Sequence, residues 1–157
     1  MTAAGLTPAA TDGSPDAAPS TRRMWAVGAV AGAVSSLAVI VLVAIAEAAG
    51  APMEVAESST ESPQRIPLPG YATVILGATL VGLLLATGFA RWTRQPRRWF
   101  VITAVVLTAV SFSFPVTATA TTATKVVLVM THVIPAALII SAIATQLPAR
   151  RTRRRAA

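Results

Sequence analysis

Four long apolar segments constrain this chain more than any other feature. They run over 24–46, 71–90, 99–116 and 126–143. A helix rises 1.5 Å per residue and the hydrocarbon core of a bilayer is about 30 Å thick, so a span needs about 17 to 25 residues. Backbone in contact with lipid satisfies its hydrogen bonds only in helices or closed barrels. Because the segments lack the alternation of barrel strands, the sequence predicts an all-α membrane protein, an antiparallel bundle of four transmembrane helices.

The remaining sequence divides the chain into tails and loops. Charged residues are only 12% of the chain, against about 25% in soluble domains. Residues 1–21 are rich in Ala, Pro and Thr, a composition typical of a disordered tail. We therefore expect a disordered cytoplasmic tail over 1–21, a transmembrane domain over 22–147 with an outer loop over 47–70, and a basic cytoplasmic tail over 148–157.

The first apolar segment allows a second interpretation, a cleavable signal peptide. Arg22 and Arg23 precede the segment, and small residues follow it. The apolar region of a signal peptide has only about 7 to 15 residues, and the segment over 24–46 is much longer. A membrane anchor that is retained is therefore favoured.

The basic residues predict how the chain is threaded. The chain carries a net charge of +7. With four spans, one side of the membrane receives Arg22, Arg23, Arg91, Arg94, Arg97, Arg98, Arg150, Arg151, Arg153, Arg154 and Arg155. The other side receives only Arg65 and Lys125. Cytoplasmic loops carry the excess of Lys and Arg, so we expect both termini in the cytoplasm.

Aromatic residues agree with this threading, and composition indicates the source. Trp25, Trp92 and Trp99 fall at the cytoplasmic interface and Tyr71 at the outer one, as expected of interfacial aromatic belts. The Ala- and Arg-rich, Lys-poor usage points to a GC-rich bacterial genome. We therefore predict a multi-pass protein of a bacterial plasma membrane.

The same charges restrict the partners. The Arg-rich cytoplasmic segments can attract anionic lipid headgroups, by about 1 kcal/mol per arginine near the surface. Binding of nucleic acid would need a folded basic motif, and the sequence has none, so no nucleic acid is expected. The lipid bilayer is the predicted partner, with a membrane protein or a second copy of the chain as a further possibility.

His132, the only histidine of the chain, is the first candidate for a functional residue. Thr79, Thr108 and Ser111 fall at comparable depth in the other helices, so a possible intramembrane polar cluster contains His132, Ser111, Thr108 and Thr79. An ionisable residue in a span is by default a functional hypothesis. A neutral imidazole can instead join helices through hydroxyl partners, and this packing role is favoured.

Residues for other kinds of site are scarce. Without cysteine, a second histidine or an intramembrane carboxylate, we expect no catalytic residues, no metal site and no cofactor. Glu54, Glu57 and Glu61 have a spacing that could align carboxylates for a cation. A solvated acidic loop is the favoured interpretation of that spacing, and Glu47, at the end of the first helix, is expected to be hydrated.

Small residues and prolines indicate how the helices pack. Small residues recur at every fourth position of the first two helices: Gly28, Gly32 and Ser36, then Ala78, Gly82 and Ala86. Such patterns let membrane helices approach closely. Pro115 and Pro135 lie at similar depths in the last two helices, and each can kink its helix and free a carbonyl.

Several of these features together resemble a known family. They are the "RR" before the first helix, the long outer loop, the turn "RWTRQPRR", and "VMTHVIPAALI" in the last helix. Over residues 22–147 the chain is similar to an uncharacterised actinobacterial family of small four-helix integral membrane proteins, a domain of unknown function. The resemblance implies the topology and no reaction.

The sequence thus favours a non-enzymatic structural or accessory helix bundle. The alternative is a small transporter or permease-like subunit with a polar pathway near His132. The lack of intramembrane carboxylates and of a clear inverted repeat counts against transport. An intramembrane enzyme ranks last, since neither a nucleophile with its base nor a set of metal ligands is present.

Overall fold

The described part of the chain folds into four helices and one short hairpin. The computed structural model describes residues 20–55, 62, 64–113 and 120–149. In this part of the chain the elements are α1 Thr21–Ala48, β1 Glu54–Val55, β2 Gln64–Arg65, α2 Leu68–Trp92, α3 Pro96–Ser111 and α4 Thr122–Thr145. The expected all-α fold is confirmed, with four helices in the predicted order.

Three of these helices are long and apolar enough to cross a membrane: α1, α2 and α4. The third predicted segment, 99–116, differs. Helix α3 starts earlier, at Pro96, and ends at Ser111 after 16 residues, a length of about 24 Å at 1.5 Å per residue. Residues 114–119 lie outside the described part of the chain, so a fourth span is not shown.

Hydroxyl caps explain why two helices begin before their apolar segments. Ser20 Oγ accepts a hydrogen bond from the backbone N–H of Arg23 at the start of α1. Thr121 Oγ1 accepts one from the N–H of Thr124 at the start of α4. Each satisfies an N–H that the helix leaves without a partner. Helix α1 therefore includes Thr21, which the predicted tail over 1–21 contained; the rest of that tail up to residue 19, and residues 150–157, are outside the described residues.

A glycine closes α1 and turns the chain into the hairpin. Gly50 has a φ of 85°, which L residues rarely adopt. Its N–H donates to Glu47 O, and the N–H of Ala51 donates to Ala46 O at 3.0 Å, the paired bonds of a Schellman motif. Strands β1 and β2 then pair antiparallel, with Glu54 opposite Arg65. This hairpin was not foreseen in the predicted outer loop over 47–70.

The bundle is antiparallel, with α1 and α3 each packed against α2 and α4. Trp25 Nε1, near the start of α1, donates to Thr87 Oγ1, near the end of α2, at 3.2 Å. A Cβ added to Gly28 would lie 2.6 Å from the side chain of Leu83, and one added to Gly32 would lie 2.8 Å from Thr79 Oγ1. Gly28 and Gly32 of α1 thus lie closely against α2.

The outer surface of the helices is apolar. Val30, Leu37 and Ile45 on α1 are each more than 60% exposed, and Val74 on α2 is 70% exposed. Large apolar patches of this kind are rare on soluble monomers. The surface therefore fits a lipid bilayer.

Candidate functional site

A cavity of about 500 Å³ lies between α2, α3 and α4. Its volume falls in the range of about 300 to 1,000 Å³ that small-molecule sites occupy. The cavity exists because α3 packs closely only near its beginning: Pro96 and Phe100 are the buried residues of the helix. Helix α1, which packs tightly along its length, contributes no lining residue.

Three of the four residues of the predicted polar cluster line this cavity: Thr108, Ser111 and His132. Thr79 does not. It is buried against Gly32 of α1, and its hydroxyl donates to Ile75 O at 2.7 Å. The structure therefore brings together the residues of α3 and α4, and it separates the residue of α2 from them.

The hydroxyls of the cavity wall bind to their own helices. Thr108 Oγ1 donates to Ala104 O at 2.8 Å, Ser111 Oγ donates to Thr108 O at 2.7 Å, and Thr131 Oγ1 donates to Leu128 O at 2.7 Å. Thr131, which was not in the predicted cluster, also lines the cavity and also donates to a carbonyl of its own helix. Because these hydrogens are already used, the three hydroxyls offer lone pairs to the cavity but no free hydrogen.

His132 is held by its own helix. Its Nδ1 lies 2.8 Å from Leu128 O. A carbonyl oxygen only accepts, so Nδ1 carries the hydrogen, and in the neutral ring Nε2 is the unprotonated acceptor. The hydrogen bonds that the described residues give His132 thus stay within α4, whereas the packing hypothesis placed its partners on the second and third helices. Phe112, at the end of α3, contacts the ring with 5.8 Å between centroids.

Pro135 follows His132 by less than one turn and also lines the cavity. Proline has no N–H, so it cannot bond to the carbonyl four residues earlier, which is that of Thr131. The Thr131 carbonyl therefore lacks that helical hydrogen bond. Pro115, the other predicted kink, is outside the described residues.

The end of the bundle next to the hairpin carries an ion pair that was not predicted from the sequence. Arg65 Nη2 lies 2.7 Å from Glu47 Oε2, and Arg65 Nε lies 3.0 Å from Glu47 Oε1. Glu47, expected to be hydrated, keeps only 20% of its side-chain surface exposed. The hydrogen bond and the charge of Glu47 raise the pKa of Arg65 above its ordinary value. The sequence does hold a signal for this pair, because Glu47 and Arg65, which have opposite charges, lie towards the two ends of the predicted loop over 47–70.

Tyr71, in the first turn of α2, is the second unforeseen feature. The residue is 8% exposed and lines the cavity, and its hydroxyl has no hydrogen-bond partner among the described residues. Buried polar groups are nearly always paired. The hydroxyl oxygen itself has almost no accessible surface, so it is a buried polar atom and not part of the open cavity wall.

Among the residues that the structure describes, no three His, Cys, Asp or Glu side chains are close enough together to hold a metal ion. Glu54 is exposed on β1. Glu57 and Glu61 lie outside the described residues, so the cation site that their spacing suggested is not tested.

The comparison with known families bears on the resemblance. A family of unknown function, DUF6069, matches residues 19–149. The chain belongs to the DUF6069 family. This confirms the predicted resemblance to an uncharacterised family, while the actinobacterial origin stays a prediction. No curated protein and no solved structure matches the chain. Membership in DUF6069 assigns no reaction to the chain.

Proposed function

We propose that this DUF6069 protein is a non-enzymatic accessory helix bundle of the bacterial plasma membrane, with four spans and both termini in the cytoplasm. The main observation in support of the accessory role is that side-chain hydroxyls of the helices form their hydrogen bonds within their own helix. Hydroxyls at successive depths donate to carbonyls of their own helix: Ser36, Thr79, Thr87, Thr108, Ser111, Thr131 and Ser141. Hydroxyls bound in this way neither activate one another nor form a continuous polar path.

A fourth span requires that the chain continue across the membrane beyond α3. The apolar sequence extends to Val116, five residues past Ser111, which adds about 7 Å if it is helical. The antiparallel packing supports this proposal, because it puts the α2–α3 turn, the start of α1 and the end of α4 at one end of the bundle. Eleven arginines belong to that end and its flanking segments.

Reporter fusions test the threading. Alkaline phosphatase, active only outside the cytoplasm, and green fluorescent protein, fluorescent only inside, are fused after residue 60, after residue 94 and after residue 149. We expect phosphatase activity from the first site alone and fluorescence from the other two. Phosphatase activity from the last site would contradict the four-span proposal.

Isolation from native membranes tests the accessory role. We expect the full chain, extracted in mild detergent, to elute with a second membrane protein or as a homo-oligomer of defined mass. Crosslinking before extraction is the control against association in detergent. A monomer both before and after crosslinking would contradict the accessory role. Lipid analysis of the same sample shows whether anionic lipids accompany the Arg-rich segments.

The alternative, a small permease-like subunit, has one observation in its favour, since Thr108, Ser111 and His132 line the same cavity. The other lining residues are almost all aliphatic or small, and Thr79 lies elsewhere. Such a wall does not replace the hydration of a polar solute. The geometry therefore supports the accessory bundle better than the passage of a polar substrate.

A further inference from the structure

We propose that the cavity between α2, α3 and α4 binds one single-chain lipid alcohol, with its alkyl chain along the aliphatic wall and its hydroxyl on Nε2 of His132. The proposal goes beyond the accessory role. It rests on the membrane setting of α2, α3 and α4 and does not depend on the number of spans.

The dimensions of the cavity fit one alkyl chain. Along α3, the lining residues extend from Phe100 to Ser111, about 16 Å at 1.5 Å per residue. A volume of about 500 Å³ accommodates one alkyl chain. A hexadecyl chain is somewhat longer than this wall when extended, and it serves as the probe below.

The chemistry of the wall selects the polar group of the guest. Around His132 the wall offers acceptors: Nε2 and the oxygens of hydroxyls whose hydrogens are already donated. A hydroxyl is the smallest neutral group that donates a hydrogen bond, so it suits the acceptor at His132.

Other headgroups fit this wall less well. No Arg or Lys is among the described residues that line the cavity, so an ionised carboxylate or a phosphate would be buried there without a countercharge, which is costly. An ether has no hydrogen to give to Nε2. A neutral donor therefore matches the site best.

The polar contact, more than the chain, decides selectivity. Lipid tails are as apolar as the leucines of the wall, so moving an alkyl chain from the bilayer to the cavity gains little by itself. One hydrogen bond to a group buried away from water changes affinity by about tenfold. The proposal therefore predicts that an alcohol binds about tenfold more tightly than its methyl ether.

Because the chain has one histidine, nitrogen NMR reports this contact directly. The full-length protein is labelled with [¹⁵N]histidine, placed in phosphatidylcholine nanodiscs and titrated with 1-hexadecanol, hexadecyl methyl ether or palmitate. We expect a protonated Nδ1 and an unprotonated Nε2 before the titration. Hexadecanol should move the Nε2 resonance upfield in a saturable way, and the ether and palmitate should leave it in place. A protonated Nε2 at the start, or equal shifts with alcohol and ether, would overturn the proposal.

Neighbouring alanines of α4 provide a matched test of the place of binding. Ala136 lines the cavity, whereas Ala137 is exposed on the outer surface. Ala136→Phe should abolish the hexadecanol shift, and Ala137→Phe should retain it. Ala104→Phe blocks the cavity from α3 and serves if Ala136→Phe loses its helical circular dichroism. Equal behaviour of the blocking variants and Ala137→Phe would show that the cavity is not the site.

Failure of the four-span proposal would appear in the reporter fusions and leave these nitrogen shifts as they are, so the two proposals fail in distinguishable ways.

Discussion

At the residue scale, glycine sets the distance between α1 and α2. A Cβ at Gly32 would lie within 3.2 Å of three side-chain atoms of Thr79. Thr79 is branched at Cβ, fully packed, and bound to Ile75 O, so it has little freedom to move. Gly77, in the neighbouring helix, is the opposite case, since a Cβ there would meet nothing within 4 Å.

These two glycines give a first prediction. Gly32→Ala should lower the free energy of unfolding by about 1 to 3 kcal/mol, because overpacking forces neighbours to shift. Gly77→Ala should leave it unchanged or raise it by up to about 1 kcal/mol, because alanine favours helix. Unfolding in mixed micelles of SDS and a mild detergent measures both. Equal effects of the two substitutions would contradict the close contact of α1 and α2.

Thr124 joins α4 to the chain that leaves α1. Its side chain is fully buried, and Oγ1 donates to Pro52 O at 2.6 Å, across 72 residues of sequence. Thr122, two residues earlier, is exposed. The sequence shows two threonines at the start of a helix and does not distinguish them, because only the folded chain brings Pro52 to one of the two.

The second prediction compares these threonines. Thr124→Val should lower the free energy of unfolding by about 1 kcal/mol, since it removes the hydrogen bond from the buried Thr124 side chain to the Pro52 carbonyl. Thr122→Val is the control and should change it by less than about 0.5 kcal/mol. The same SDS titration measures both variants. A Thr124→Val protein as stable as the control would show that the carbonyl finds another donor.

At the scale of elements, the helices were predictable and the hairpin was not. Long apolar segments predict helices because lipid allows the backbone no other open structure. Strands of two residues leave no alternation to detect. The hairpin depends instead on contacts between distant residues, among them the pair of Arg65 with Glu47 at the end of α1.

The third prediction concerns that ion pair. Arg65→Gln should increase amide hydrogen exchange at β1 and β2 several-fold, because the hairpin loses its charged contact with α1. Glu54→Gln is the matched control: Glu54 lies opposite Arg65 on the neighbouring strand, and its loss leaves the bidentate contact with Glu47 intact. High salt should reproduce part of the Arg65→Gln effect, since Arg65 is exposed and its charge is screened. Equal exchange in both variants would contradict the role of the pair.

The raised pKa of Arg65 determines how this contact depends on pH. A base whose folded pKa lies above its unfolded value stabilises the fold at every pH below the unfolded value, and the contribution disappears only as the pH rises through the folded pKa. For Arg65 that window is strongly alkaline. Exchange at the hairpin should therefore not respond to Arg65 between neutral and moderately alkaline pH.

At the scale of the whole molecule, α3 is the least firmly packed of the described helices. It has the fewest buried residues of these four helices, and its 16 residues make it the shortest. Because little packing holds α3 in place, we expect the arginines of the α2–α3 turn to supply much of its orientation.

The fourth prediction follows from this dependence. Replacing Arg91, Arg94, Arg97 and Arg98 by Gln should move part of the population to the orientation in which a phosphatase fused after residue 149 is active. Replacing Arg65 and Lys125 on the opposite side is the control and should leave the reporter silent. A silent reporter in both variants would show that the turn does not orient the chain.

The polar cluster shows the limit of prediction from the sequence at the site. Depth along each helix follows from residue number. The sequence therefore predicted that four residues lie in one layer: Thr79, Thr108, Ser111 and His132. Rotation of each helix about its axis does not follow from residue number when all faces are apolar. The structure rotates Thr79 towards α1 and turns the other three towards the cavity.

By itself, the sequence determined the helices and the apolar setting that they suit. Segments of this length and composition favour a membrane, and a backbone in lipid favours helices. Tertiary structure decided which residues meet: the glycines of α1 against α2, Arg65 on Glu47, and the cavity that opens because α3 packs closely only at its beginning. The reason is physical, since backbone hydrogen bonding in lipid is a local requirement, whereas contacts between apolar faces depend on helix rotation and on the shapes of distant side chains.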